Sequence, residues 1–286
     1  MTSRVAAWQL AVRLLPFYRR SLEREKRLQK QLDDLSAAAL TISQCCVEEA
    51  SRYDVNPTIH PRDFIFQYLL SNIEHFRVKA AAKNYFQRGN VSAQKLYGIL
   101  FNEIKFDKRP ISLLDFAGGY GCVGRHLKQF SKEIDLWTSD VHDEAREFCV
   151  SCLDLKFIKS VSAPSDFNPP MTFDAVFALS FFTHMPEATW GQWLRKLFAC
   201  VRQDGSLIFT THGIISNRGL KAFPEKGFKF ERHSEQKDLP VCEYGTTYTT
   251  PDYVRRELSK LESAELFLFR EGDWGHQDLY VIRKRS

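Results

Sequence analysis

The hydrophobic rhythm of the chain changes twice. Over residues 1 to about 50, apolar and charged positions follow helical spacing, with leucines at Leu22, Leu28, Leu32 and Leu35 among many Arg, Lys, Glu and Asp residues. This predicts a charged helical arm over 1–56 with one apolar edge. The edge reads either as the dry side of a solvated helix or as a seam for self-association or docking. The near-heptad run is shorter than the sustained repeat of a typical coiled coil. Residues 57–106 form a second helical region, set off by Pro57 and Pro61 and rich in aromatics such as Phe64, Phe66, Tyr85 and Phe101. Gly89-Asn90 is expected to break it.

From residue 111 short apolar runs alternate with amphipathic helical patterns. Strands are predicted over 111–117, 134–139, 155–160, 173–180 and 206–211. Helices are predicted over 123–130, 143–152 and 187–201. The run 173–180 is almost continuously apolar, as a strand buried on both faces requires. Pro186 fits the start of the third helix, and Asp204-Gly205 a turn before the fifth strand. Such β-α alternation predicts an α/β fold with a doubly wound, mostly parallel sheet.

The end differs. A long irregular stretch over 213–250 precedes a helix over 251–261 and two strands over 264–270 and 279–283. The link between these strands is too short for a crossover helix, so they should pair antiparallel. The expectation is a seven-stranded sheet with an antiparallel last strand and a helical N-terminal extension. The domain reading is 1–56 arm, 57–106 helical cap and 107–286 Rossmann-like domain, with 213–250 as a substrate-side insertion.

Composition narrows the function. The 286 residues carry a net charge of only +5, without blocks of like charge or a basic stripe, which argues against nucleic-acid binding. No apolar run reaches the roughly 18 residues of a spanning helix. Seven cysteines without a repeating spacing fit buried, reduced thiols in a cytoplasmic protein; the lone Cys149-x-x-Cys152 has no second pair to complete a zinc site.

The candidate chemistry begins at Leu113-Leu114-Asp115-Phe116-Ala117-Gly118-Gly119-Tyr120-Gly121-Cys122-Val123-Gly124, where a strand enters a glycine-rich turn and leaves as a helix. Glycines admit left-handed backbone and close ligand approach, and the helix start offers unpaired N–H groups. Asp140, nineteen residues beyond Gly121, ends the next strand, where a carboxylate accepts hydrogen bonds from ribose hydroxyls. The segment Gly119-Tyr120-Gly121-Cys122-Val123-Gly124 literally fits the dinucleotide pattern G-x-G-x-x-G, so an NAD-dependent oxidoreductase is one reading. Asp115 opposes it. A carboxylate at the mouth of the turn repels a diphosphate and favours a cofactor bearing an ammonium and a sulfonium.

The stretch Leu114 to Gly121 resembles the first motif of class I S-adenosylmethionine-dependent methyltransferases, with Ala117 where a first glycine is usual. Phe173-Asp174-Ala175-Val176-Phe177-Ala178-Leu179-Ser180 resembles that family's fourth-strand motif, and Gln203-Asp204-Gly205-Ser206-Leu207 its turn before the fifth strand. The resemblance covers about residues 93–284 and implies S-adenosylmethionine as cofactor, held by Asp115, Ala117, Gly118, Gly119, Gly121 and Asp140. It further implies Ser162 and Ala163 near the adenine, with Ala178, Leu179 and Ser180 lining the floor. Stretches such as Thr183-His184-Met185-Pro186 and Gly275-His276-Gln277-Asp278 resemble bacterial enzymes that modify sugars or glycans.

Ligands of open α/β sheets lie beyond the carboxyl ends of the parallel strands. That edge should collect His184 after the fourth strand, His212 after the fifth and His276 in the terminal hairpin. Each is a candidate proton acceptor for methyl transfer to oxygen or nitrogen of a small-molecule or glycan acceptor. The insertion 213–250, with Phe223, Phe228, Phe230, His233, Tyr244 and Tyr248, and the aromatic helices of 57–106 are expected to cap the acceptor. Asp273, His276 and Asp278 are close enough in sequence to suggest a metal, but hairpin solubility accounts for them equally and none is assigned. A non-catalytic scaffold that docks partners through its arm is the remaining reading; the intact Asp115, Gly119, Gly121 and Asp140 speak against it.

Overall fold

The structure, a computed structural model, describes residues 2–217, 225–234, 236 and 238–286. The side chains of 2–19, 21 and 22 lie outside that description, as do Leu22 of the arm's edge and Phe223 of the insertion.

The sheet expected from the apolar rhythm is present. Strands β1 (Ile111–Phe116), β2 (Ile134–Asp140), β3 (Lys156–Lys159), β4 (Phe173–Ala178) and β5 (Val201–Thr211) run parallel. The final hairpin pairs β8 (Ala264–Trp274) with β9 (Gln277–Lys284), and β9 runs antiparallel to both β8 and β5. The order is β3-β2-β1-β4-β5-β9-β8, seven strands in all. All six residues of β4 are buried, because helices cover both faces. Leu114, Phe116, Val176 and Phe209 pack against Trp190, Trp193 and Leu194 of helix α6 (Glu187–Ala199). Leu113, Ala175, Phe177 and Ile208, the alternate positions, pack against Ala93 and Leu96 of α3 (Val78–Gly98) and Cys149 of α5 (Asp143–Ser151). Period-two alternation thus feeds two cores from one set of strands.

Three expectations change. Helix α3 runs unbroken through Gly89 and Asn90. Gly89 is there for contact: a Cβ on it would lie 2.3 Å from the Cys122 carbonyl oxygen, so the glycine lets α3 press onto the turn after β1. Within 57–106, Ala93, Leu96, Ile99, Leu100 and Ile104 are buried with Ile111, Leu113 and Leu127 of the sheet side, while Phe66, Leu69, Tyr85 and Phe86 pack with Cys46 and Ala50 of the arm. Asp204-Gly205 is a bulge inside a longer β5: the register with β4 jumps from Phe173↔Val201 to Ala175↔Ser206, and Asp204 takes φ 60°. The insertion is not wholly irregular, since β6 (Phe228–Glu231) and β7 (Thr246–Thr249) pair antiparallel as a second small sheet.

The arm is one helix, α1 (Thr2–Ser51). Its last turns place Cys46 and Ala50 against Ala81, Ala82, Tyr85 and Phe86 of α3. Among the described residues no helix is long and apolar enough to cross a membrane. All seven cysteines are free thiols, and Cys149 is buried.

Candidate cofactor and acceptor site

The carboxyl end of β1 turns sharply. Ala117, Gly119 and Gly121 take φ of 58°, 56° and 73°, so three left-handed residues reverse the chain within five positions. Gly119 and Gly121 do this at low cost; Ala117 is a non-glycine held in a disfavoured region, as occurs at functional sites. Gly118 is boxed in, because a Cβ on it would lie 2.6 Å from Thr138 Oγ1 and 2.7 Å from Asp115 Oδ2. The chain then enters α4 (Gly124–Leu127).

Two carboxylates flank this turn. Asp115 is buried, and its Oδ2 has no hydrogen-bond partner among the described residues. Burial, with a smaller contribution from the Asp140 charge, pushes its carboxyl up to about 7. Asp140, at the end of β2, accepts from the Gly119 N–H at 3.0 Å and from the His142 N–H at 3.1 Å. The His142 ring reaches the same carboxylate through Nδ1 at 2.7 Å, while its Nε2 faces Asp238 of the insertion at 3.0 Å. His142 is held between two carboxylates, and the Asp140 bond is the main cause that raises its pKa. Sequence reasoning missed His142; a polar residue just past the strand-ending acid was the available signal. Ser162 and Ala163 follow β3 on the same edge, both exposed.

The turn is braced from behind. Arg125 of α4 is buried; its Nε donates to the Gly121 carbonyl at 3.1 Å, and one terminal nitrogen donates to the carbonyls of Asn56 and Thr58, both at 2.8 Å. The other terminal nitrogen reaches Tyr85 Oη at 3.3 Å, and that hydroxyl donates to Asp63 at 2.6 Å. His60, on the strap so fixed, stacks on Tyr120 of the glycine turn with ring centres 4.6 Å apart.

The ends of β4 and β5 carry the remaining candidates. Ser180 takes φ 58° just beyond β4. Its N–H donates to Thr210 Oγ1 at 2.8 Å, and Thr210 in turn donates to Gln277 Oε1 at 2.6 Å. Gln277 Nε2 returns to Ser180 Oγ at 2.8 Å, closing a ring between β4, β5 and the hairpin. Thr210 and Gln277 are thus joined to the candidate Ser180, a link that the motifs did not indicate.

The three histidines sit on this edge together. His212 and His276 rings stack 5.9 Å apart. Burial, then the neighbouring His184 and His276, lower the His212 pKa to about 4, so it is neutral at pH 7. His184 stacks on Tyr244 at 4.3 Å, and its Nδ1 lies 2.8 Å from the Gly245 carbonyl oxygen. A carbonyl only accepts, so Nδ1 carries the proton and the lone pair of a neutral His184 is on Nε2. Both contacts come from the insertion. The β8–β9 turn that carries His276 is pinned by the Lys95–Asp273 pair at 2.8 Å, by Trp274 Nε1 donating to Ser92 at 3.2 Å, and by Ser216 donating to the His276 carbonyl at 2.6 Å. Asp273 is thus committed to Lys95, and Asp278 is buried against Gly213 and accepts from the Gly272 N–H. Among the described residues no group of three His, Cys, Asp or Glu is placed to hold a metal ion.

A doubly wound sheet with a reversed strand between its last two parallel ones, a glycine turn after β1 and an acid closing β2 define a Rossmann-like fold. Among solved structures it is similar to an S-adenosylmethionine-dependent methyltransferase from Clostridium acetobutylicum, at TM-score 0.50 and 11% identity, covering 77% of this chain and 98% of that one. It is also similar to an amino pentose methyltransferase from Micromonospora echinaspora, at TM-score 0.49 and 14% identity over 68% of this chain and 91% of that one. A third, the 1,6-didemethyltoxoflavin-N1-methyltransferase of Burkholderia thailandensis, has TM-score 0.48 and 12% identity over 80% and 92%. The first likeness establishes a shared fold. No protein-family model matches the sequence, and no curated protein matches it either.

Proposed function

We propose that this chain is a class I S-adenosylmethionine-dependent methyltransferase acting on oxygen or nitrogen of a small molecule, sugars and glycans included. The observation that carries the reading is Asp115: a buried carboxylate with an unpartnered oxygen at the mouth of a glycine turn, one strand from Asp140. Buried polar atoms are nearly always bonded, and a lone carboxylate oxygen calls for a donor or a cation. The ammonium and sulfonium of S-adenosylmethionine suit it, and the diphosphate of a dinucleotide does not. Asp140, with Gly119 beside it, would take the ribose hydroxyls in exchange for its present bond to His142. Ala117, Gly118 and Gly121 shape the turn, Ser162 and Ala163 border the nucleoside end, and Ala178, Leu179 and Ser180 form the floor.

The bound cofactor supplies an electrophilic methyl carbon. The chain's own residues hold the acceptor in line, exclude water and remove a proton. His184 suits the last task because Gly245 fixes its tautomer and Tyr244 its ring plane. His212 and His276 would orient the acceptor beside it; His212, with a pKa near 4, is too weak a base to lead.

The test is calorimetry of the full chain with S-adenosylmethionine and with NAD, followed by an acceptor screen with labelled methyl donor. Binding of the sulfonium cofactor alone is expected; binding of NAD alone would overturn the proposal. His184→Ala is expected to lower turnover by roughly a hundred- to ten-thousand-fold with cofactor affinity intact.

A further inference from the structure

The imidazole of His142 faces a carboxylate on each side. Nδ1 lies 2.7 Å from Asp140 Oδ1, the oxygen that also accepts the His142 N–H at 3.1 Å, and Nε2 lies 3.0 Å from Asp238 Oδ2. Ionised carboxylate oxygens only accept, and a neutral imidazole has a single N–H to give. Both contacts are hydrogen bonds at once only when the ring is an imidazolium. The surroundings favour that form. The Asp140 bond raises the ring's pKa above its ordinary 6.5, the Asp140 and Asp238 charges add to it, and burial opposes them. The other neighbours are the neutral Gln236 amide, 3.3 Å from Nε2, and Asp143, which pairs with Lys159 at 2.5 Å.

The ring joins two parts of the molecule. Asp140 closes β2 beside the glycine turn, and the Gly119 N–H already occupies its Oδ2. Oδ1, the oxygen that His142 holds, is the one left for a ribose hydroxyl. Asp238 belongs to the connection between β6 and β7. That connection meets the body at its far end through backbone: the Gly245 N–H donates to the His184 carbonyl at 2.9 Å, and Thr247 Oγ1 donates to the Met185 carbonyl at 2.5 Å. Those bonds keep their strength at any pH, whereas the bridge through His142 depends on one proton.

We propose that His142 is a proton-operated latch: as an imidazolium it fastens the β6–β7 connection to Asp140 in the ligand-free chain, and it competes with the cofactor's ribose for Asp140 Oδ1. The competition rests on the cofactor reading above; the latch does not. The sign follows from the raised pKa. The latch is complete below the ordinary histidine value and is lost as pH rises through the raised one, so an incoming ribose meets less opposition at higher pH.

Amide hydrogen exchange of the ligand-free full chain, at about pH 5.5 and about pH 8.5 and corrected for intrinsic rates, reads the latch directly. Peptides from 232–245 are expected to exchange roughly tenfold faster at the higher pH in wild type, and to be fast at both in His142→Ala and Asp238→Ala. Exchange that ignores both pH and the substitutions would overturn the latch. Calorimetry with S-adenosylmethionine reads the competition. At about pH 6, His142→Ala is expected to bind about tenfold more tightly than wild type and Asp238→Ala about threefold, with the advantage fading toward pH 8. Titration of Asp115 and of the ligand is common to all three proteins and cancels in these ratios. Asp238 is 61% exposed and bonds His142 rather than the glycine turn, so a purely structural role would leave affinity unchanged. Equal or weaker binding by Asp238→Ala at pH 6 would overturn the competition. If the cofactor binds at no pH while the exchange result holds, the cofactor reading fails and the latch stands.

Discussion

Replacing Asp115 by Asn removes a charge while keeping the side chain's shape, and the structure fixes what that should do. Burial lifts the Asp115 carboxyl from 3.8 to about 7. That gap of about three pH units is equivalent to roughly 4 kcal/mol, at about 1.36 kcal/mol per unit, as an upper bound. Between pH 4 and 7 the folded chain keeps a proton that the unfolded chain has released, so stability falls as pH rises through this window and levels off above it. Asp115→Asn has no such proton to lose. Urea denaturation at about pH 5 and about pH 8 should find the ligand-free variant near wild type at the lower pH and more stable by up to roughly 4 kcal/mol at the higher one. Cofactor binding should run the other way. A cationic ligand favours the ionised carboxyl, so wild-type affinity for S-adenosylmethionine should rise from pH 5 to 8. The variant should bind about ten- to a hundredfold more weakly at pH 8, the worth of a charge-assisted hydrogen bond. Equal affinity in variant and wild type, or a stability difference that ignores pH, would refute the claim that Asp115 is a charge kept for a cation.

Three further outcomes are expected. Ala117→Gly should stabilise the ligand-free chain by about 1 kcal/mol in urea, since φ 58° strains an alanine and not a glycine. Arg125→Met should cost roughly 3–5 kcal/mol in the same assay, because it leaves the carbonyls of Asn56, Thr58 and Gly121 and the buried Asp63 without their cation. Gln277→Ala opens the ring joining Ser180, Thr210 and the hairpin; turnover measured with labelled methyl donor should drop about ten- to a hundredfold, as a small misplacement of the groups it holds costs.

The sheet was legible because its strands carry their signal locally. Phe173–Ala178 is apolar at every position but Asp174, and that residue spends its charge at the strand's start on the Ser112 N–H and Arg202. The glycine turn and Asp140 were legible for the same reason: left-handed backbone and a strand-ending acid are written in adjacent residues. The errors arose where meaning depends on a distant partner. Gly89 reads as a helix breaker until the Cys122 carbonyl is seen against it. Thr246–Thr249 reads as loop because its pairing partner, Phe228–Glu231, is separated from it by fourteen residues of mixed polarity.

His142, Thr210 and Gln277 were missed on the same principle, since each is defined by a bond to a residue distant in sequence or on another element. His142 joins the Asp140 carboxylate to Asp238 of the insertion, and the same insertion supplies the Tyr244 ring and Gly245 carbonyl that orient His184. On the other side, Gln277 joins the floor at Ser180 to the turn that carries His276. Residues that would touch the nucleoside and residues that would touch the acceptor are therefore each fastened to a third element. Filling the nucleoside side would release His142 from Asp140 and so change what holds the insertion, which is the element that aims His184. If the ribose takes Asp140 as proposed, the two ligands should not bind independently, because the His142 bond that helps to hold the insertion would need another partner.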